Sequence, residues 1–307
     1  MATAFLHHAD CVLHDMGAHH PESPARLIAI EDHFIETGLM QHLVMETAPA
    51  ATTDQLSRVH DESYVEFVKS MAPRSGLRHL DPDTAMNPHS LSAAFHAAGA
   101  VVKATDMVIG GIVSNGFCNV RPPGHHAWRA RAMGFCLFNN VAVGAAHALE
   151  AHGLDRVAIV DFDVHHGNGT EDIFAGDDRV LMVSTFQHPF YPYSGTDGRS
   201  GRMVNIPLAA YSNGADFRKA VESEWRPALE RFAPQMIFVS AGFDAHRDDD
   251  MASLGLVEDD YAWVTRFIME AADRSANGRI VSTLEGGYHL PALARSAASH
   301  VRQLCGI

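Results

Sequence analysis

Two segments of the 307-residue chain carry acids and imidazoles at metal-ligand spacing. In DFDVHHGNG (161–169), Asp161, Asp163 and His165 alternate, and alternate side chains along an extended strand share a face. Asp163 and His165 are therefore candidates to reach one ion, with Asp161 supporting the site from behind. A third ligand must come from elsewhere, and Asp244 in SAGFDAHRDDD (240–250) is the best candidate. Two carboxylates and one imidazole with a position left open suit a catalytic divalent ion such as zinc, whereas structural zinc is closed by four ligands. The bland alternative for each of these residues is a polar loop position after a strand. It loses ground because two such segments occupy matching positions.

RPPGHHA (121–127) sets adjacent histidines after a rigid Pro-Pro-Gly turn. One imidazole of His125 and His126 can deprotonate a metal-activated water while the other hydrogen-bonds it or stabilises charge. Each ring needs a partner on its second nitrogen, and Asp161 and Asn168 are available. An anionic partner raises a histidine pKa, whereas Asn168 orients a ring without adding charge. The other pairs, His7–His8 and His19–His20, read as N-terminal loop features. Tyr288 in EGGYHL (285–290) is a candidate oxyanion donor, although alone it would read as a tyrosine packed at a strand end. Phe135 and Tyr191 are candidate walls around a slim aliphatic chain, and equally ordinary as core aromatics.

The elements that must position these groups follow a strand-then-helix rhythm. Short, nearly continuous apolar runs at 157–164, 180–186, 236–243 and 279–288 suit a parallel sheet buried on both faces, and a further strand is expected near Gly116–Val120. Helical patterns lie at Ala25–Thr37, Ser90–Ile109, Asn140–His152, Ala215–Phe232, Glu258–Ala276 and Pro291–Leu304. The alternation predicts a doubly wound α/β sheet in one domain spanning 1–307. The reactive side chains follow four separate strands, so they converge on the carboxyl edge, where open parallel sheets bind ligands.

The bulk properties narrow the class. A formal charge of −14 argues against binding nucleic acid and is compatible with a cationic substrate. Four well-separated cysteines form no CxxC pair and read as reduced packing thiols. The start has no basic leader and no apolar run approaches the length of a membrane span, so a soluble, cytoplasmic protein with no membrane partner is expected. Self-association is left open.

Taken in order, HPESPAR (20–26), VHDESYVEFV (59–68), DPDT (81–84), RPPGHHA, GFCLFNNVAVGA (134–145), VDFDVHHGNGT (160–170), SAGFDAHRDD (240–249) and LEGGYHL (284–290) resemble the histone deacetylase superfamily, including bacterial deacetylase-like amidohydrolases and acetylpolyamine amidohydrolases. The resemblance covers nearly the whole chain. It implies the arginase–deacetylase α/β fold with a parallel sheet of about eight strands. It implies Asp163, His165 and Asp244 as zinc ligands, with iron(II) also accepted by that donor set. It makes His126 the general base, His125 its electrostatic partner, Asp161 and Asn168 the groups paired with them, and Tyr288 the carbonyl-polarising phenol. Phe135 and Tyr191 match the walls of an acyl-lysine tunnel and Gly134 a backbone contact to substrate. A structural potassium ion is implied near Asp161, Asp163, His165, Ser184 and Thr185, and Arg26 matches an arginine lining an inner channel behind the metal.

One departure concerns the rim. Relatives often read FDAHRDDP, but here Asp250 is followed by Met251, at a position that is often apolar in lysine deacetylases and acidic in polyamine-preferring relatives. The expected activity is thus a zinc-dependent deacylase acting on acyl-lysine in a peptide or protein. An acetylpolyamine amidohydrolase is the nearest rival; an arginase-type dimanganese ureohydrolase and a non-catalytic binding protein are more remote.

Overall fold

Continuous apolar runs predict parallel pairing, and parallel pairing is what the computed structural model, which describes residues 2–196 and 201–307, contains. Ten strands are described: β1 (Thr3–His7), β2 (Leu43–Thr47), β3 (Arg78–Asp81), β4 (Thr84–Met86), β5 (Asn115–Cys118), β6 (Val157–Asp161), β7 (Val180–Gln187), β8 (Met203–Leu208), β9 (Met236–Ala241) and β10 (Ile280–Leu284). Eight form one all-parallel sheet in the order β2-β1-β5-β10-β9-β6-β7-β8. Strands β3 and β4 make a separate antiparallel hairpin. Every residue of β5, β6, β7, β9 and β10 is buried, as a sheet covered by helices on both faces requires. The four cysteines are free and buried, and no helix among the described residues is long and apolar enough to cross a membrane.

The six helical patterns all appear, at Ala25–Glu36, Ser90–Ile109, Asn140–Glu150, Gly214–Phe232, Glu258–Ser275 and Leu290–Cys305. The fourth is interrupted by one wide π-type turn, Val221–Trp225, ending two residues before Pro227. A proline lacks the N–H for a regular turn and crowds the carbonyl four residues earlier, and a wider turn relieves both.

Three sheet strands escape the sequence reading. Strand β1 occupies the start assigned to a loop, so His7 closes a strand and His8 caps the short helix Ala9–Leu13 through its imidazole. Strands β2 and β8 are the sheet edges: β2 is largely exposed, and β8 contains Pro207, which an edge strand tolerates. The run expected as strand over 157–164 stops at Asp161. Beyond it the main chain leaves the ladder for carboxylates: Asp163 N–H donates to Asp161 Oδ1 (3.1 Å), Val164 N–H to Asp244 Oδ1 (2.9 Å) and His165 N–H to Asp163 Oδ1 (2.8 Å).

Behind this edge lies a buried ion cluster. Glu22 Oε1 accepts from Arg26 Nη1 (3.0 Å) and from Arg121 Nε, and Oε2 accepts from Arg121 Nη2 (2.7 Å). Arg26 also donates to the carbonyls of Glu285 (2.5 Å) and Gly287 (2.6 Å), tying the first turn of its helix to the segment after β10. Burial alone would raise the Glu22 pKa, but the Arg121 guanidinium and His14 hold it well below the ordinary 4.5. A depressed carboxyl contributes stability that is present at neutral pH and lost as the pH falls through its folded value. Glu22→Gln leaves two guanidinium groups short of their anion, and denaturant unfolding at pH 7 is expected to show a loss of about 3–5 kcal/mol. A change under about 1 kcal/mol would refute the cluster's role, being no more than an exposed pair contributes.

Candidate active site

The carboxyl ends of β6, β9 and β10 bring the sequence-derived candidates together. Ligand atoms of Asp163, His165 and Asp244 lie within 4.8 Å of one another, and all three residues are buried. His165 Nδ1 is 3.0 Å from Asp163 Oδ1 and 3.2 Å from Asp244 Oδ2. Asp163 Oδ2 accepts the Gly286 N–H at 2.8 Å. Asp244 Oδ2 is buried without a well-directed hydrogen bond. A shielded carboxylate oxygen beside a second carboxylate and an imidazole suits a divalent cation, so these residues fit the implied metal. Burial and the charge of Asp163 push the Asp244 pKa up to about 6, the response of an acid short of a cation.

Among the described residues, two other His/Asp groups lie outside this edge. In the first, Asp106, His147 and His152, the Arg58 guanidinium sits 2.8 Å from His147 Nδ1. Arginine can only donate, so His147 carries its proton on Nε2, facing Asp106 at 2.8 Å, and that nitrogen has no lone pair for a metal. In the second, His8, Asp10 and His96, the two rings stack at 3.5 Å and 8°, and parallel rings cannot aim in-plane lone pairs at one ion.

The tandem histidines differ through their partners. His125 Nδ1 lies 2.9 Å from Asp161 Oδ2. Burial lowers its pKa, but the charges of Asp161, Asp163 and Glu285 prevail and raise it to about 10. His126 Nδ1 lies 2.7 Å from Asn168 Oδ1, while Asn168 Nδ2 points at Met133 Sδ (3.3 Å), an arrangement that assigns the amide oxygen to the histidine. His126 thus donates through Nδ1 and keeps its lone pair on Nε2. Burial first, then the neighbouring His125 and His165 charges, hold its pKa well below the ordinary 6.5.

Above these rings opens a cavity of about 260 Å³. His126, His165 and Tyr288 reach it, its walls include Phe135, Phe190 and Tyr191, and Gly134, Met251 and Asp83 complete it. Phe135 stands edge-on to Tyr288 (6.1 Å, 86°) and Phe190 stacks on His165 (5.5 Å, 24°). The β3–β4 hairpin holds the Gly134–Phe135 turn: Gly134 N–H donates to Asp83 Oδ1 (3.1 Å) and Phe135 N–H to Thr84 Oγ1 (3.0 Å). Gly134 has φ +57°, and a Cβ there would lie 2.4 Å from the His126 ring, so only glycine fits.

The remaining candidates have definite places. Ser184 pairs across the ladder with Asp161, and its buried hydroxyl lacks a partner; Thr185 follows it, also buried. Oxygen donors of this kind fit a monovalent cation such as potassium. Arg26 is fully buried with its guanidinium 4.9 Å from the centre of the Tyr288 ring. His20 lies in a loop, as its sequence context implies, and packs edge-on against Phe135 at 4.7 Å.

Sequence reasoning gave no role to Glu285, Asp249, Asp83 or Phe190. Glu285 Oε2 accepts from the N–H groups of Gly124 (2.7 Å) and His125 (3.1 Å), and Oε1 accepts from Ser240 Oγ (3.1 Å). Burial is the main cause that lifts its pKa to about 7. Phe190 was legible only as the neighbour of Tyr191 in PFYPYSG.

A parallel α/β sheet that gathers two histidines, a tyrosine and a cation-ready acid–imidazole group at its carboxyl edge defines a hydrolase of the deacetylase class. The histone deacetylase domain matches residues 20–304, and the chain belongs to that family. It is 35% identical to the histone deacetylase-like amidohydrolase of Pseudomonas aeruginosa, over 99% of this chain and 86% of that protein. It is 37% identical to the human polyamine deacetylase HDAC10, covering 100% of this chain but 48% of that protein. The crystal structure of the HDA15 HD domain superposes with a TM-score of 0.93 at 34% identity, over 99% of this chain and 88% of that one.

With His126 as the expected proton acceptor, its partner is predicted to set the acid limb of the pH profile. A lowered histidine pKa keeps that ring neutral down to pH below 6.5. Asn168→Asp places an anion on Nδ1 and raises that pKa, so the acid limb of kcat/KM is expected to move to higher pH. An unmoved limb would show that another group sets it.

Proposed function

We propose that this chain is a zinc-dependent deacylase that hydrolyses acyl-lysine amides in peptides or proteins. The observation that carries the reading is the cavity of about 260 Å³ whose lining joins Phe135, Phe190 and Tyr191 to His126 and His165. Aromatic walls beside such polar groups suit an aliphatic side chain that carries an amide. Asp163, His165 and Asp244 would hold the ion, and iron(II) suits the same donors. The metal, when bound, supplies Lewis-acid polarisation of the acyl carbonyl and acidifies water.

The chain's own groups do the rest. His126, neutral and with Nε2 unprotonated, takes the proton from the attacking water and returns it to the leaving amine. His125, held by Asp161, keeps a positive charge beside the developing anion. The Tyr288 hydroxyl donates to the oxyanion of the tetrahedral intermediate. Phe135, Phe190 and Tyr191 exclude water along the aliphatic chain. Asp161, Asp163, His165, Ser184 and Thr185 are proposed to hold a structural potassium ion, and Arg26 to line the inner channel.

Met251 at the cavity supports acyl-lysine over polyamine, because its thioether offers a second cationic amine no ion pair, whereas Asp83 in the same lining speaks for the polyamine. A polyamine reading also has support: the likeness to HDAC10, named as a polyamine deacetylase, and the exposed Asp250 beside Met251. The deciding measurement is kcat/KM of the zinc-loaded protein for an acetyl-lysine peptide and for N-acetylputrescine. A preference for the peptide is expected; a preference for the amine would overturn the rim argument and keep the chemistry. Tyr288→Phe is expected to lower kcat about 10²–10³-fold, as for other oxyanion donors. Near-normal turnover would remove Tyr288 from the mechanism.

A further inference from the structure

Tyr288 and Met251 reach the cavity from different segments, and one carboxylate holds both. Asp249 is buried, with 5% of its surface exposed. Its Oδ2 accepts the Tyr288 N–H at 2.6 Å and the His289 N–H at 3.0 Å. Its Oδ1 accepts the Met251 N–H at 3.0 Å. All three partners are main-chain groups, and hydrogen bonds to an ionised acceptor are short and about twice as strong as neutral ones.

The segment it grips needs an outside hold. Tyr288 follows Gly286 and Gly287, and Gly287 has φ +117°, a conformation open to glycine and costly for other residues. Two glycines give the backbone little preference of its own. Arg26 grips the carbonyls of Glu285 and Gly287, and Asp249 grips the amides of Tyr288 and His289. The tyrosine is thus clamped between a buried cation and a buried anion.

We propose that Asp249 is a positioning residue that couples catalysis to substrate choice, aiming the Tyr288 hydroxyl at the acyl carbonyl and setting Met251 at the mouth. The proposal rests on the oxyanion role given to Tyr288 above. Truncation frees both arms. An amide in place of the carboxylate presents one acceptor and one donor, and it loses fewer bonds by turning its NH₂ toward Met251, which spares the tyrosine arm.

The test compares the zinc-loaded Asp249→Ala, Asp249→Asn, Tyr288→Phe and Asp249→Ala/Tyr288→Phe proteins on an acetyl-lysine peptide, with a thermal melt of each. Asp249→Ala is expected to lower kcat about 10²-fold, the cost of misplacing a catalytic group by about 1 Å. In the Tyr288→Phe background that loss is expected to nearly vanish, because the hydroxyl it positions is gone. Asp249→Asn is expected to shift KM more than kcat. A full, additive loss in the double variant overturns the proposal, since the carboxylate then acts by some route other than Tyr288. If Asp249→Ala melts too low to assay, the amide variant decides: a kcat loss larger than its KM shift overturns the coupling. A damaged Tyr288→Phe beside an unimpaired Asp249→Ala sinks the positioning role alone. An unimpaired Tyr288→Phe sinks the oxyanion reading beneath it.

Discussion

Four carboxylates are buried side by side at one edge of the sheet, and the rest of the site is arranged around their need for partners. Asp161 ends β6, Asp163 follows two residues on, Asp244 lies just past β9 and Glu285 just past β10. An ionised acid out of water is tolerated only where donors or cations surround it. Main-chain amides of Asp163, Val164, His165, Gly286, Gly124 and His125 supply most of them. The strands therefore end where they do because the acids compete successfully for amides that would have continued the ladder. His125 Nδ1 serves Asp161 Oδ2 and Ser240 Oγ serves Glu285 Oε1, and what is left over is Asp244 Oδ2, in the one acid–imidazole cluster that is fully buried among the described residues. The geometry of the candidate metal site is the remainder of a hydrogen-bond account.

The same logic separates two histidines that are neighbours in sequence. Both are buried, and burial by itself favours the neutral ring. His125 sits against an acid and His126 against an amide, so one is held charged and the other neutral by partners supplied from the two sides of the 161–169 segment. Neither role is written in the His-His dipeptide. Both follow from which side chain the returning segment presents.

How much was legible follows from the range of each signal. Strands β5, β6, β7, β9 and β10 could be read from nearly continuous apolar runs, whereas the equally interior β1 escaped because its five residues lie next to paired histidines that read as a loop; the acids and imidazoles stood out because their types are rare together after such runs. The edge strands could not: β2 is mostly exposed, and β8 carries a proline, so neither keeps the pattern of a buried strand. The extension of β6 past Asp161 was a wrong inference from continued alternation, because the acceptors that end it lie on other segments or on its own side chains. Glu285 and Asp249 were missed for a related reason. Each works by accepting main-chain N–H groups of distant segments, and an amide leaves no mark in the sequence of its host residue.

The acids are approached by backbone rather than by side chains. A Cβ at Gly167 would meet Asp161 Oδ2 at 2.3 Å, one at Gly242 would meet Asp163 Oδ2 at 2.1 Å, and one at Gly286 would meet Asp244 Oδ2 at 2.0 Å. Even a single methyl group at any of these positions would push into a charged oxygen. At half-buried Met251 and exposed Asp250, by contrast, a new side chain would meet solvent instead of a carboxylate. The buried acids are thus fenced by absent methyl groups, and the room for change lies at the surface.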